Sequence, residues 1–257
     1  MEDTGNSRTD GVEDKDRLIE ELREAVRARD EFVAIAAHEL RNPMTPILLQ
    51  VDMLLAAVRN PDRCRPEVMT PRVEILQAAV KDFVRRSTML LDVSRIASGN
   101  LRIEPADVDF SALVRGVVDR MAVAAHRGRC RIEIKLREGI IGIWDPLALE
   151  QIADNLLSNA IKFGAGKPVT VTLHSDGLTA RRAVRDQGIG ISEADSARIF
   201  KRFEQAVGSR EHGGFGIGLW LTNQLVQAMD GTISIESTPC EGTIFTVALP
   251  IDAGGQQ

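Results

Sequence analysis

Disulfide-spaced cysteines, a bilayer-length apolar run and an excess of positive charge are all missing from this chain. Its three cysteines, Cys64, Cys130 and Cys240, are far apart and odd in number. They offer neither a disulfide framework nor the ligand spacing of a metal site. Such sparse usage suits a reducing compartment, so a cytoplasmic protein is expected. The richest apolar stretch, ILLQVDMLLAAV, is broken by Gln50 and Asp52 and is too short to span a bilayer. The opening segment, MEDTGNSRTDGVEDKD, is acidic and polar, unlike a secretion signal. No membrane segment is therefore expected. Formal net charge is -5 and basic clusters are short, so no nucleic-acid partner is expected either.

What remains is a globular composition, 44% apolar and 27% charged, in 257 residues, enough for two domains. From Asp16 onward the apolar residues Leu18, Leu22, Ala25, Phe32, Ala36, Leu40, Pro43, Ile47, Val51, Leu54 and Val58 keep a three/four spacing, interrupted at Arg29. That spacing predicts one long helix. A second stripe, Met44, Leu48, Val51 and Leu55, widens its apolar face beyond the needs of a two-stranded coil. Three prolines in RNPDRCRPEVMTP make a turn, and a second helix is expected from Pro71 to Ser98, with Val73, Leu76, Val80, Phe83, Leu90 and Val93 inward. A single hairpin cannot bury faces this wide, which predicts a homodimeric four-helix bundle.

Beyond residue 110 the pattern alternates between strands and helices. Strands are expected at 131–136, 169–174, 179–185, 232–237 and 243–250, and helices at 111–127, 146–163, 193–200 and 217–229. This is a mixed α/β domain with hairpins rather than a repeated βαβ array.

Several stretches carry chemistry. His38 lies about 200° around the helix from both Ala36 and Leu40, so it points away from the seam toward solvent. A histidine there is either an ordinary surface residue or, with Glu39 fixing its tautomer, a nucleophile. Pro43 and Pro46 deprive the carbonyls of Glu39 and Asn42 of helical partners, which predicts a bend just after His38. In DPLALEQIADNLLSNAIKFG, Asn155, Asn159 and Lys162 share one helix face. They form a plain polar face, or a site for Mg²⁺ and phosphate built from amide oxygen and ammonium. DQGIGIS sets Asp186 before Gly188 and Gly190, and GGFGIGLWL sets Gly214, Gly216 and Gly218 before a helix. Glycines so placed make tight turns or bring backbone N–H groups against phosphates. Neither run has the order of a Rossmann fingerprint or of a P-loop.

The order of these pieces resembles the two-component sensor histidine kinases over residues 16 to 251. HELRNP resembles the H-box, ADNLLSNAIKF the N-box, DQGIGI the G1 box, RIFKRFEQ the F-box and GGFGIGLWL the G2 box. The resemblance implies that His38 accepts a phosphoryl group from ATP, that Glu39 is its base, and that Asn42 orients water for dephosphorylation of a response regulator. It implies that Asn159 ligates Mg²⁺ with Asn155 in support, and that Lys162 reaches the phosphates. Asp186 would accept from the adenine amino group, with Gly188 and Gly190 shaping its turn and Thr243 of EGTIF nearby. Phe200 and Phe203 would pack at the base of a lid, and Gly214, Gly216 and Gly218 would close on the phosphates. The implied architecture is a dimeric helical bundle followed by an α/β sandwich of the Bergerat type. The implied partners are a second copy and the receiver domain of a cognate response regulator.

The domain bounds that follow are a disordered lead (1–15), a dimerisation and phosphotransfer hairpin (16–98), a linker (99–110), a catalytic ATP-binding domain (111–251) and a tail (252–257). Cys240 stands where the family commonly has glycine, AMDG replaces a frequent His-Gly-Gly, and the segment before the G1 box is short. Two other readings fit less well. An ATPase of the gyrase, Hsp90 and MutL type would need a glutamate where Asn155 stands, and a non-catalytic dimeric scaffold would not need the nucleotide residues.

Overall fold

In the computed structural model, residues 6–59, 65–97, 101–204 and 216–251 are described. They fall into two compact units, divided between Leu91 and Asp92.

The first unit is a helical hairpin made of α1 (Asn6–Val58) and the greater part of α2 (Pro66–Ala97). Helix α1 begins ten residues before the expected start, so residues 6–15 are helical rather than a disordered lead. Helix propagation adds one hydrogen bond for each residue fixed, and a polar run can extend an existing helix without an apolar seam. Both prolines lie inside α1, and the helix is continuous through them. Pro43 is buried and Pro46 exposed. Helix α2 likewise begins earlier than expected, at Pro66, and carries Pro71 within its first turns. The seam residues Ala36, Leu40, Ile47 and Leu54 are half-buried, whereas Met44, Leu48, Val51 and Leu55 of the second stripe stand exposed.

The second unit is a two-layer sandwich. Its strands are β1 (Ala106–Asp109), β2 (Ile132–Leu136), β3 (Ile141–Trp144), β4 (Val169–Ser175), β5 (Thr179–Arg185), β6 (Thr232–Thr238) and β7 (Gly242–Pro250). Its helices are α3 (Phe110–Arg127), α4 (Pro146–Phe163), the short α5 (Glu193–Ser196) and α6 (Gly218–Ala228). The main sheet runs β2-β4-β5-β7-β6, with only the β2–β4 pair parallel. Register places Val171 beside Val184 and Val184 beside Phe245, all buried, and Leu173 beside Arg182 and Arg182 beside Val247 in the next row. The alternate residues, such as Arg181 and Arg185, face water, as expected where helices cover one face of a largely antiparallel sheet. Helices α3, α4 and α6 supply that cover through Val114, Val117, Leu149, Ile152, Leu156, Leu221 and Leu225.

Two strands were not expected from the sequence. β1 and β3 pair antiparallel in a separate ribbon, so part of the expected linker is built into the second unit. Each is four residues long, and β1 buries only Val108, too little for a readable alternation. The ribbon is pinned by Trp144, whose Nε1 donates to the carbonyl of Pro250 at 2.8 Å and whose ring meets Phe110 at 5.5 Å. Asp145 then caps α4, accepting from the amides of Leu147 and Ala148, with Pro146 in the first turn. Its other oxygen accepts from the amide of Glu104 at 2.9 Å. Cys240 and Asp230 occupy left-handed φ values of 67° and 54°, so both departures from the family's glycines sit where the backbone favours glycine.

Arg182 is the odd member of the core. It is fully buried on β5, donates from Nη2 to the carbonyl of Ala153 at 3.2 Å, and leaves Nε and Nη1 without a hydrogen-bond partner among the described residues. Burial lowers its pKa to about 10, against a smaller pull upward from Asp154. The charged form is thus disfavoured in the fold, and stability rises as pH climbs from about 10 toward the unfolded value. Below that window the buried cation opposes folding. Because Ala153 lies inside α4, its carbonyl keeps a ladder partner without Arg182. Arg182→Met is therefore expected to hold or raise stability at neutral pH, by up to about 1–4 kcal/mol, read as the midpoint of urea unfolding.

Candidate nucleotide and phospho-acceptor sites

His38 is exposed on α1, as its angular position predicts, and its Nδ1 lies 3.5 Å from Nδ2 of Asn42 one turn on. Glu39 follows it on the same helix. The other expected residues belong to the second unit, where four elements bring them together.

Helix α4 carries Asn155, Asn159 and Lys162, all half-buried. Asn155 donates from Nδ2 to Oγ1 of Thr222 on α6 at 2.8 Å, which fixes the amide and turns its oxygen toward Gly218. A β-carbon on Gly218 would stand 2.4 Å from that oxygen. Lys162 places Nζ 4.7 Å from the centre of the Phe163 ring.

Asp186 follows the last residue of β5 and is 5% exposed. Its amide donates to the carbonyl of Thr243 at 2.9 Å, and its Oδ1 accepts from the amide of Gly188 at 2.8 Å. Burial raises its pKa, while the amides of Gly188 and Thr243 pull the other way. The turn beyond it is wedged between two walls. Ile189 donates to the carbonyl of Phe163 at the end of α4, and its own carbonyl accepts from the amide of Cys240 in the β6–β7 turn. Gly190, at φ 66°, has space for no side chain, since a β-carbon would fall 2.0 Å from the carbonyl oxygen of Thr238. Thr243 lies on β7, opposite Ser237 of β6, and the two hydroxyls are 2.8 Å apart.

Phe203, at φ 66°, donates its amide to the carbonyl of Gly216 at 3.0 Å. That bond draws the chain at 203 and at 216 together. Arg202 lies over the rings of Phe203 and Trp220, and Phe200 meets Phe245 edge-on at 6.3 Å. Arg198 bridges Asp195 and Glu204. Gly214 lies outside the described residues.

Comparison with known proteins identifies the family of both units. Residues 28–99 match the family model of the His Kinase A (phospho-acceptor) domain. Residues 144–253 match that of the histidine kinase-, DNA gyrase B- and HSP90-like ATPases. The chain belongs to the two-component sensor histidine kinases. It is 34% identical to the virulence sensor protein BvgS of Bordetella bronchiseptica, over 93% of this chain and 20% of that protein. It is 31% identical to the sensor protein EvgS of Escherichia coli, over 90% of this chain and 20% of that protein. The chain thus spans about a fifth of the length of these curated relatives. Among solved structures, the histidine kinase AdeS of Acinetobacter baumannii shares the fold at TM-score 0.61 and 22% identity, covering 83% of this chain and 98% of that one.

For a histidine kinase, the polar groups on α4 fit a magnesium ion held partly by substrate. Mg²⁺ keeps several waters and takes one or two protein oxygens plus phosphate oxygens. The described residues contain no cluster of three or more His, Cys, Asp or Glu side chains able to cage a metal alone, whereas α4 offers amide oxygens beside a lysine. No helix among them is long and apolar enough to cross a membrane.

Sequence reasoning missed Thr222, which holds Asn155. The only available signal was its position one turn after Gly218, on the face of α6 turned inward. Gly218→Ala is expected to push the Asn155 amide off Thr222. Losing one such hydrogen bond should weaken ATP binding by about tenfold in calorimetry, with far-UV circular dichroism unchanged.

Proposed function

We propose that this chain is the catalytic core of a protein histidine kinase that transfers the γ-phosphoryl group of ATP to His38 and passes it to an aspartate of a response regulator. The observation that carries this reading is the joining of Asn155, Asp186, Thr243 and Gly218 from four separate elements in one unit, with an exposed histidine on the other. A ring nitrogen of His38 attacks the γ-phosphorus, the bond to the β–γ bridging oxygen breaks, and ADP leaves. Glu39 takes the ring proton as the N–P bond forms. Asn155, Asn159 and Lys162 hold the phosphate end, where Asn159 would ligate Mg²⁺ and the ion would supply charge neutralisation. Asp186 and Thr243 read the base, Gly188 and Gly190 shape that turn, Phe200 and Phe203 pack at the base of a lid, and Gly214, Gly216 and Gly218 close on the phosphates. Asn42, one turn from His38, positions water for removing the phosphoryl group from the regulator. The protein works in the cytoplasm as a homodimer. The exposed stripe of Met44, Leu48, Val51 and Leu55 supports the dimer, because a single hairpin leaves this apolar face in water.

Incubation with γ-labelled ATP and Mg²⁺ is expected to give an acid-labile, base-stable label on the native chain. His38→Gln should carry none, and Asn159→Ala should lose at least about 100-fold in rate, as when a group stabilising transferred charge is removed. Label persisting in His38→Gln would sink the assignment. ATP turnover without label would indicate an ATPase, and binding without either would indicate a scaffold.

A pH series gives a second check. Asp186 accepts most strongly from an amino group when ionised, and its raised pKa makes it take up a proton at higher pH than an ordinary aspartate. ATP affinity should therefore fall on acidification before the usual carboxylate range near pH 4 is reached. The fall should be absent in Asp186→Asn, whose affinity is low throughout, as read by calorimetry across the series.

A further inference from the structure

Ser237 sits directly across from Thr243 in the β6–β7 pair. Its Oγ meets three polar groups: the amide of Ile191 at 2.8 Å, the carbonyl of Gly242 at 2.9 Å and Oγ1 of Thr243 at 2.8 Å. A serine hydroxyl has one proton and two lone pairs. The Ile191 amide can only donate, so it takes one lone pair. The Gly242 carbonyl can only accept, so it takes the single proton. One lone pair is left, and the Thr243 hydroxyl must donate to it.

The direction of the chain is thereby set. Thr243 spends its proton on Ser237, and its Oγ1 has only lone pairs to offer anything else. Beside it the carboxylate of Asp186, when ionised, is also acceptor-only. Such a pair is satisfied by a ligand edge that donates, and it is left unpaired by one that presents a carbonyl.

We infer that Ser237 is a positioning residue for base specificity. By holding the Thr243 proton, it keeps this edge of the pocket acceptor-only, which selects a purine with an amino group at position 6 over one with a carbonyl there. The inference rests on the reading of Asp186 and Thr243 as the base-recognising pair. Without Ser237, the Thr243 hydroxyl turns freely and can donate to a 6-oxo group.

The test titrates ATP and ITP, which differ only at this edge, into the full chain with Mg²⁺ by calorimetry. The native protein should prefer ATP. Ser237→Ala should narrow the ATP-to-ITP affinity ratio by about tenfold, since donor–acceptor mismatch at a buried edge is what the ratio measures. Thr243→Val should narrow it too, and adding Ser237→Ala to Thr243→Val should narrow it no further, because the first acts through the second. Ser237→Thr, which keeps the hydroxyl, should restore the native ratio. Ser237→Cys, nearly isosteric and a poor acceptor, should behave like the alanine and serves if the alanine variant does not fold. Equal weakening of both nucleotides in Ser237→Ala and Ser237→Cys would overturn the inference and leave Ser237 as a loop anchor. If Thr243→Val and Asp186→Asn also leave the ratio unmoved, the reading of the base pocket falls with it. If those two move the ratio and the Ser237 variants do not, only the inference falls.

Discussion

Asp186 donates its amide to the carbonyl of Thr243, and that bond ties the end of β5 to the start of β7 at the place where the chain leaves the sheet. The turn that follows has no slack. Its Ile189 is bonded to the end of α4 on one side and to the β6–β7 turn on the other, and the Cβ space of Gly190 is filled by the backbone of Thr238. A helix end, a strand end and a hairpin turn are thus fixed to one another through main-chain groups. Side chains on all three, Lys162, Asp186 and Thr243, inherit that fixed geometry. The cost is a carboxylate at 5% exposure with a raised pKa, a group no folding argument would choose.

The two units obey different physics. In the second, strand alternation and helix faces meet in one closed core around Leu149, Leu156, Val171, Val184 and Val247. In the first, Met44, Leu48, Leu55, Val73 and Val84 remain exposed, although their spacing is as regular as that of any core helix. Regular apolar spacing forms the helix but does not by itself supply the surface that buries it.

That difference also decides what could be read from the sequence. β4 was legible to within a residue because VTVTLH alternates between apolar and polar, and α4 because Asp145–Pro146 is a cap written in two letters. β1 and β3 were illegible because each is short and is defined by its partner, not by its own pattern. The early start of α1 escaped because polar residues carry no periodicity. Within the site, Asp186 and the glycines could be placed because their spacing is local, set by what a tight turn tolerates. Asn155 could be named, but its partner Thr222 lies 67 residues away, and no local rule points to it.

Arg182 and Ser237 show why such long-range polar contacts matter in opposite ways. Arg182 is held by one bond and leaves two donor nitrogens without hydrogen-bond partners among the described residues, so its burial works against the fold. Ser237 has every proton and lone pair engaged, so its burial is nearly neutral and its effect is to remove a choice from Thr243. A hydroxyl left to rotate can greet either kind of ligand edge, while one whose proton is already placed can greet only one. On the proposed reading of Asp186 and Thr243, specificity lies less in the residue that meets the base than in the closed set of bonds behind it.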